Sequence, residues 1–178
     1  MKSRVVVVQR DCIARIVPVG TPITIPKDTF VTVTQDLGGS FTVVVNGNMA
    51  RVDGTDADAL GFEPLELKFE APTDDRVRES DVWDTMRTVY DPEIPVNLVD
   101  LGLVYSCELH RNDGRNSAHI RMTLTAPGCG MGPVLVEEMK YRLQKVPNLH
   151  DVEIELVFDP PWDRDMMSDE AKLELGMF

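Results

Sequence analysis

The segment "TLTAPGCGMGPVLVEEM", Thr123 to Met139, sets one cysteine between Gly128 and Gly130 where an alternating strand pattern passes into a helical one. The glycines remove side chains on both sides of the thiol. A helix that starts just behind them directs unpaired N–H groups and a partial positive charge toward the loop. Such a field stabilises thiolate, so the pKa of Cys129 is expected below the free value of about 8.5. A thiolate in that setting is a nucleophile or a soft metal ligand. The same residues also read as a tight strand-to-helix crossing in which Cys129 is a small buried filler. An N–H-rich turn suits phosphate as well, but no Lys-Ser or Lys-Thr pair closes a P-loop here, which excludes nucleotide binding of that type.

A second cluster lies upstream. Asp91-Pro92-Glu93, with Asp100 further on, places carboxylates around a proline-stiffened loop. Such a loop holds a hard metal, positions a partner or supplies a general base. Asp and Pro are equally the residues of a plain helix exit. In "FDPPWDRDMMSDEAKLELG", Pro160 and Pro161 stiffen a loop that presents Trp162 either to the core or to a partner. Cys107 alternates with apolar residues and reads as core; sequence alone does not orient Cys12. His110, His119 and His150 show no spacing typical of a ligand pair and read as surface residues.

The elements that position these groups fall into two halves. Up to about Leu67 the chain is β-branched and turn-rich, with apolar runs at "RVVVV", "TFVTVTQ" and "SFTVVV". Asn46-Gly47 predicts a tight hairpin and "DLGGS" a looser one. These runs predict a small barrel or sandwich, with a helical turn in "TDADALGF" and a final strand in "PLELKF". The polar stretch "EAPTDDRVRES" has few apolar anchors and reads as a linker, giving domains 1–70 and 75–178. Beyond it, "DDRVRESDVWDTMRTVY" predicts a helix with acidic residues in its first turn, ended by Pro92 and Pro95. "LVYSCEL" and "SAHIRMTLT" predict a hairpin turned by "RNDGRN", with Ala118, Ile120, Met122 and Leu124 on one face. "GPVLVEEMKYRLQKV" carries Val134, Leu135, Met139 and Leu143 on a helical stripe, with Pro133 at its start. "DVEIELVF" predicts a third strand. "SDEAKLELG" predicts a helix capped by Ser168 and stopped by Gly176. The fold class is therefore α+β: a small β-rich N-terminal domain, then an αββαβα two-layer sandwich.

Composition limits the function. The 178 residues carry 18 Lys and Arg against 30 Asp and Glu, a net charge of -12 that repels nucleic-acid phosphates and anionic lipid alike. No apolar run approaches the roughly 20 residues of a membrane span, and "MKSRVVVVQRDC" lacks the pattern of a signal peptide, so a cytoplasmic location is expected. The 3 cysteines include no C-x-x-C pair, so neither a disulfide framework nor a self-contained zinc site is expected.

"VYDPEIPVNLVDLGLVY", "MTLTAPGCGMG" and "FDPPWDRDMMSDEAKLELG", in this order and spacing, resemble the PaaD-like domain of iron-sulfur assembly accessory proteins. The resemblance spans about Asp75 to Phe178. The β-rich leader, with "RDCIARIVPVG" and "VTQDLGGSFTVVVNG", is similar to the extension that marks the SufT subgroup. The resemblance implies a non-enzymatic maturation factor that helps deliver iron-sulfur clusters to recipient proteins. It places the functional thiol on Cys129 and the acidic-proline motif on Asp91, Pro92 and Glu93. A cluster usually has four protein ligands, and this loop offers one thiol, which suits transient holding. Two chains that each supply Cys129, with a carboxylate such as Glu93 nearby, would hold a cluster without caging it. The implied partners are recipient proteins, cluster scaffolds or carriers, and a second copy in a homodimer. Two other classes stay open. A PaaD-type adaptor needs the acidic surface and not the thiol, and a cysteine-nucleophile enzyme needs a base that no Cys-His motif here supplies.

Overall fold

The computed structural model describes residues 2–36, 39–91, 94–126 and 130–177. The expectations for Gly128, Cys129, Pro92 and Glu93 lie outside those residues. The chain divides into two compact units, Met1–Leu67 with Gly130–Leu135, and Lys68–Cys129 with Val136–Phe178.

The first unit is one antiparallel sheet of six strands: β1 (Arg4–Val7), β2 (Cys12–Ile16), β3 (Pro22–Ile25), β4 (Phe30–Gln35), β5 (Phe41–Val45) and β6 (Asn48–Val52). Their order across the sheet is β1-β4-β5-β6-β2-β3. The three β-branched runs form β1, β4 and β5, each placing valines toward the core: Val8, Val31, Val33, Val43 and Val45 are all buried. Asn46 and Gly47 turn β5 into β6 with φ of 49° and 79°, the left-handed pair a two-residue hairpin requires. "TDADALGF" forms a 3-10 turn, Gly54–Leu60, capped by the Asp53 side chain on the Thr55 N–H. The strand expected in "PLELKF" does not form. The segment runs without a ladder, and the Leu65 N–H bonds only to the Gly54 carbonyl. Pro64 lacks the donor a ladder would need, and a period-2 pattern without a neighbouring edge makes no strand.

The rest of the chain follows the expected αββαβα order: α1 (Glu79–Met86), β7 (Val104–Asn112), β8 (Arg115–Met122), α2 (Gly132–Leu143, of which Val136 onward belongs to the second unit), β9 (Asp151–Leu156) and α3 (Asp169–Glu174). β7 and β8 form a hairpin through Asp113-Gly114, and β9 lies parallel to β8 on its other side. Ala118, Ile120 and Met122 of the sheet bury against Val82 and Met86 of α1, Met139 and Leu143 of α2, and Ala171 of α3. Ser168 caps α3 by accepting from the Ala171 N–H.

Two boundaries differ from expectation. α1 starts at Glu79 and ends at Met86, ahead of both prolines. The Thr85 hydroxyl back-bonds to the Asp81 carbonyl and the Thr88 hydroxyl to the Thr85 carbonyl, so local side-chain bonds end the helix first. The stretch before α1 is no loose linker either. The Asp74 and Arg76 carbonyls accept from Asn148 Nδ2, the Asp75 carbonyl accepts from Asn116 Nδ2, and the Asp75 carboxylate pairs with Arg111. Apart from Val77, which packs against the core, these anchors are polar, so an apolar pattern does not reveal them.

Gly102 shows how tightly the C-terminal segment seats. Its φ is +79°, and a Cβ there would stand 2.3 Å from the Met166 carbonyl oxygen. Gly102→Ala combines a left-handed strain with a backbone clash, for an expected loss of about 2–4 kcal/mol in urea unfolding. A loss within about 0.5 kcal/mol, the size of an ordinary surface substitution, would show that Met166 does not rest on this turn.

Candidate functional site around the acidic loop and the segment before α2

The acidic loop is a closed turn. Tyr90 and Asn97 form an isolated antiparallel bridge, and the Leu98 N–H bonds to the Val89 carbonyl at 2.9 Å. Inside this frame Asp91 is buried; its Oδ1 accepts from the Ile94 N–H at 3.0 Å, and its own N–H reaches the Val96 carbonyl. Asp91 thus shapes the loop by the Asx geometry that Asp residues favour in turns. Asp100 acts similarly at the next turn: its Oδ2 accepts from Asn97 Nδ2 at 2.7 Å, and its N–H donates to Asn97 Oδ1 at 2.9 Å.

A buried guanidinium holds this loop from behind. Arg142, on α2, is fully buried and donates through Nη1 to the Thr88 carbonyl and, at 3.3 Å, to the Thr88 hydroxyl. Thr88 lies three residues before Asp91, so the helix that follows the cysteine segment also fixes the entry to the acidic loop. The C-terminal segment closes the other side. Trp162 Nε1 donates to the Leu101 carbonyl at 2.6 Å, the Tyr105 hydroxyl to the Pro160 carbonyl at 2.7 Å, and the Ser168 N–H to the Asp100 carbonyl. Trp162 is half-buried and packs on the core, and that is where the structure places this partner candidate. Between loop and α3 lies a cleft of about 180 Å³, whose polar walls are Tyr90, Asn97, Asp100, Glu170 and Glu174. Three carboxylates there favour a cationic visitor. Among the described residues no group of three His, Cys, Asp or Glu is placed to hold a metal ion.

The cysteine segment follows from the hairpin. β8 ends at Met122, Thr123 bonds back to the Leu103 carbonyl, and α2 begins at Gly132. Of the two supporting glycines, Gly130 is exposed, keeps φ outside the left-handed region, and has nothing within 4 Å of an added Cβ. Space alone does not require glycine at 130. The other thiols are different in kind. Cys12 is buried, and desolvation, then Asp56, pushes its pKa up to about 11. Cys107 is half-buried in β7 and packs on the core; desolvation, then Glu79, raises it to about 11. Both stay protonated at neutral pH. The histidines are occupied: His119 faces Glu155 at 3.1 Å, His110 faces Glu108 at 3.5 Å, and His150 Nδ1 accepts from the Asn116 N–H.

Residues 79–156 match the family described as iron-sulfur cluster assembly protein. That span runs from the first residue of α1 to the last of β9. An Fe-S protein maturation auxiliary factor of Porphyromonas gingivalis is 46% identical over 98 residues, 55% of this chain and 90% of that protein. The chain belongs to the iron-sulfur cluster assembly family. The Fe-S protein maturation auxiliary factor SufT of Staphylococcus aureus is 42% identical over 89 residues, 50% of this chain and 98% of that protein. Since so little of that relative lies outside the match, the likeness to it rests on half of this chain and does not need a leader of this length. A solved structure from Bacillus anthracis, a domain of unknown function of the DUF59 class, superposes with a TM-score of 0.50 at 37% identity, covering 56% of this chain and 92% of that one. No helix among the described residues is long and apolar enough to cross a membrane.

Arg142 should be indispensable to the acidic loop. Arg142→Ala leaves the Thr88 carbonyl without its buried donor, for an expected cost of about 2–4 kcal/mol. Hydrogen exchange at Ile94 and Val96 should rise with it, and unchanged exchange there would separate the guanidinium from the loop. The thiols carry a pH signature. A folded-state pKa near 11 at Cys12 and Cys107, against about 8.5 unfolded, means the folded chain holds these protons more tightly. Their stabilisation is complete below about 8.5 and is lost as pH rises through the folded value. Urea midpoints of wild type and Cys12→Ala should therefore converge between pH 8 and pH 11, about the span of that shift. A constant difference over that range would contradict it.

Proposed function

We propose that this chain is a non-catalytic accessory factor in iron-sulfur cluster maturation. It helps transfer clusters to recipient proteins in the cytoplasm through the thiolate of Cys129. The observation that carries this reading is the extent of the likeness: relatives named Fe-S protein maturation auxiliary factors match over 90% and 98% of their own lengths at 46% and 42% identity. The thiol chemistry points the same way. Burial holds Cys12 and Cys107 protonated, which leaves Cys129 as the soft ligand suited to iron.

The cluster is cargo on this reading. One thiolate from each of two chains, or one thiolate with Glu93 or a small external thiol, gives an incomplete ligand set, and an incomplete set releases its metal more readily than a closed one. The partners are cluster scaffolds or carriers on one side and recipient proteins on the other. Residues 75–178 are the domain that does this work, with 1–70 as a separate β-rich domain. Gly128 and Gly130 keep the thiol accessible, and Asp91-Pro92-Glu93 forms the neighbouring acidic motif.

A second reading has its own support. The cleft beside Asp100, Glu170 and Glu174 is acidic and needs no thiol to receive a basic segment of a partner, as an adaptor of the PaaD type would. The discriminating variant is Cys129→Ser. The thiol reading expects it to fold as wild type, with an unchanged urea midpoint, and to lose delivery of cluster to a recipient apoprotein. Glu170→Lys with Glu174→Lys should leave delivery largely intact. Full delivery by the folded serine variant, with loss in the lysine variant, would replace the thiol mechanism by the adaptor one.

A further inference from the structure

The edges of the two sheets are not equally guarded. An exposed strand edge is a template for another chain, and proteins blunt it with proline or charge. β3 begins with Pro22 and is protected in this way. In the three-stranded sheet, β7 carries Glu108, His110 and Arg111, and β9 carries Asp151, Glu153 and Glu155. β1 has the sequence RVVV and no such guard along its valines.

Its register shows which groups face outward. Arg4, Val5, Val6 and Val7 stand opposite Val33, Thr32, Val31 and Phe30 of β4. The next pair is bonded, since the Val8 N–H donates to the Thr29 carbonyl at 2.9 Å and the Val8 carbonyl accepts from Asp28. Hydrogen-bonding direction alternates along an antiparallel strand, so Val6 and Arg4 also bond to β4. Val5 and Val7 therefore aim their N–H and C=O groups away from the sheet. Their side chains are the exposed ones, at 65% and 41%, and Phe30 beside Val7 is 71% exposed. Free backbone groups and bare apolar side chains coincide on one edge.

Charge selects the occupant. The stretch from Lys2 to Arg10 holds three cations and no carboxylate on a chain of net charge -12. Arg10 is committed to Asp56 and Asp58; Arg4 lies over the Phe62 ring at 4.7 Å, and among the described residues no carboxylate pairs with it or with Lys2. A second copy fits poorly: its own β1 stretch, Lys2 to Arg10, brings no carboxylate to meet Lys2 and Arg4. We propose that β1 docks an extended segment of a partner protein, alternately apolar and acidic, as an added strand. Its backbone pairs with Val5 and Val7, its apolar side chains lie over Val5, Val7 and Phe30, and its carboxylates meet Arg4 and Lys2. This assignment is independent of the thiol reading, because no cluster and no cysteine enter it.

The test uses the full chain, labelled with nitrogen-15, and capped peptides of about eight residues that alternate valine with glutamate or valine with lysine. The glutamate peptide should shift the Val5 and Val7 amides saturably and slow their hydrogen exchange about tenfold. The lysine peptide should bind about tenfold more weakly, as summed cross-strand charge pairs predict. Val5→Pro removes an N–H that serves no bond to β4, so it should abolish binding while the circular dichroism stays that of wild type. If that variant does not fold, Lys2→Glu with Arg4→Glu should reverse the preference between the peptides. Equal binding of both peptides, shifts confined to other amides, no binding below about 1 mM, or concentration-dependent self-pairing at Val5 and Val7 would each overturn the assignment.

Discussion

The second unit depends on one buried cation. Arg142 has no exposed surface and gives its donors to the carbonyl and hydroxyl of Thr88, at the turn that ends α1. A guanidinium taken out of water must find partners, and the cost of leaving it unpaired is several kcal/mol. That cost fixes where α2 can sit relative to the turn. A leucine at 142 would fill the same volume and tolerate small rotations of the helix; a planar fork of donors does not. Thr88 leads directly into Val89, Tyr90 and Asp91, so the constraint reaches the entry to the acidic loop.

Polar contacts to the backbone repeat this theme. Asn116 and Asn148 capture the carbonyls of Asp74, Asp75 and Arg76, and Trp162 and Tyr105 bond backbone carbonyls on either side of the C-terminal crossing. Irregular segments cannot satisfy their own carbonyls by a ladder, so side chains from regular elements do it. The result is that the described segments at Asp74–Arg76, Leu101 and Pro160 are held by side chains of other elements. Gly102 belongs to the same logic, since only a residue without Cβ lets the Met166 carbonyl approach the turn.

Much of this was legible in the amino-acid pattern. Ala118, Ile120 and Met122 alternate and are buried; Val134, Leu135, Met139 and Leu143 recur at helical spacing and are buried; Asn46-Gly47 adopts the left-handed turn. Periodicity reads well where apolar burial decides the structure. It reads poorly where polar bonds decide. α1 was expected to reach Pro92, yet threonine hydroxyls end it at Met86. "EAPTDDRVRES" has few apolar anchors, Val77 among them, and is tied down besides by amides from Asn116 and Asn148. Arg142 reads as a basic residue near a helix C-terminus, although its spacing of seven from Leu135 and three from Met139 places it on the buried stripe. That spacing was the available signal. For the site, the buried Asp91 carboxylate in its own turn was visible as a turn residue, but nothing local in the sequence points to Thr88 as its support.

The segregation of the thiols gives the proposed chemistry its physical basis. Cys12 and Cys107 sit where desolvation favours the neutral S–H and where the leading charges, Asp56 and Glu79, are anionic, with Arg10 opposing Asp56 at Cys12. Both influences oppose metal binding, which requires thiolate. An acidic protein makes this opposition general, because each further negative charge raises the free energy of an anionic ligand and of an anionic cluster. Tight holding would need compensating cations, and the chain carries only 18 Lys and Arg against 30 Asp and Glu. On the proposed reading, therefore, weak retention follows from the charge of the whole chain as much as from the single thiol at Cys129. A cluster held by few ligands in a repelling field is one that moves on when a recipient with a full set of ligands comes within reach.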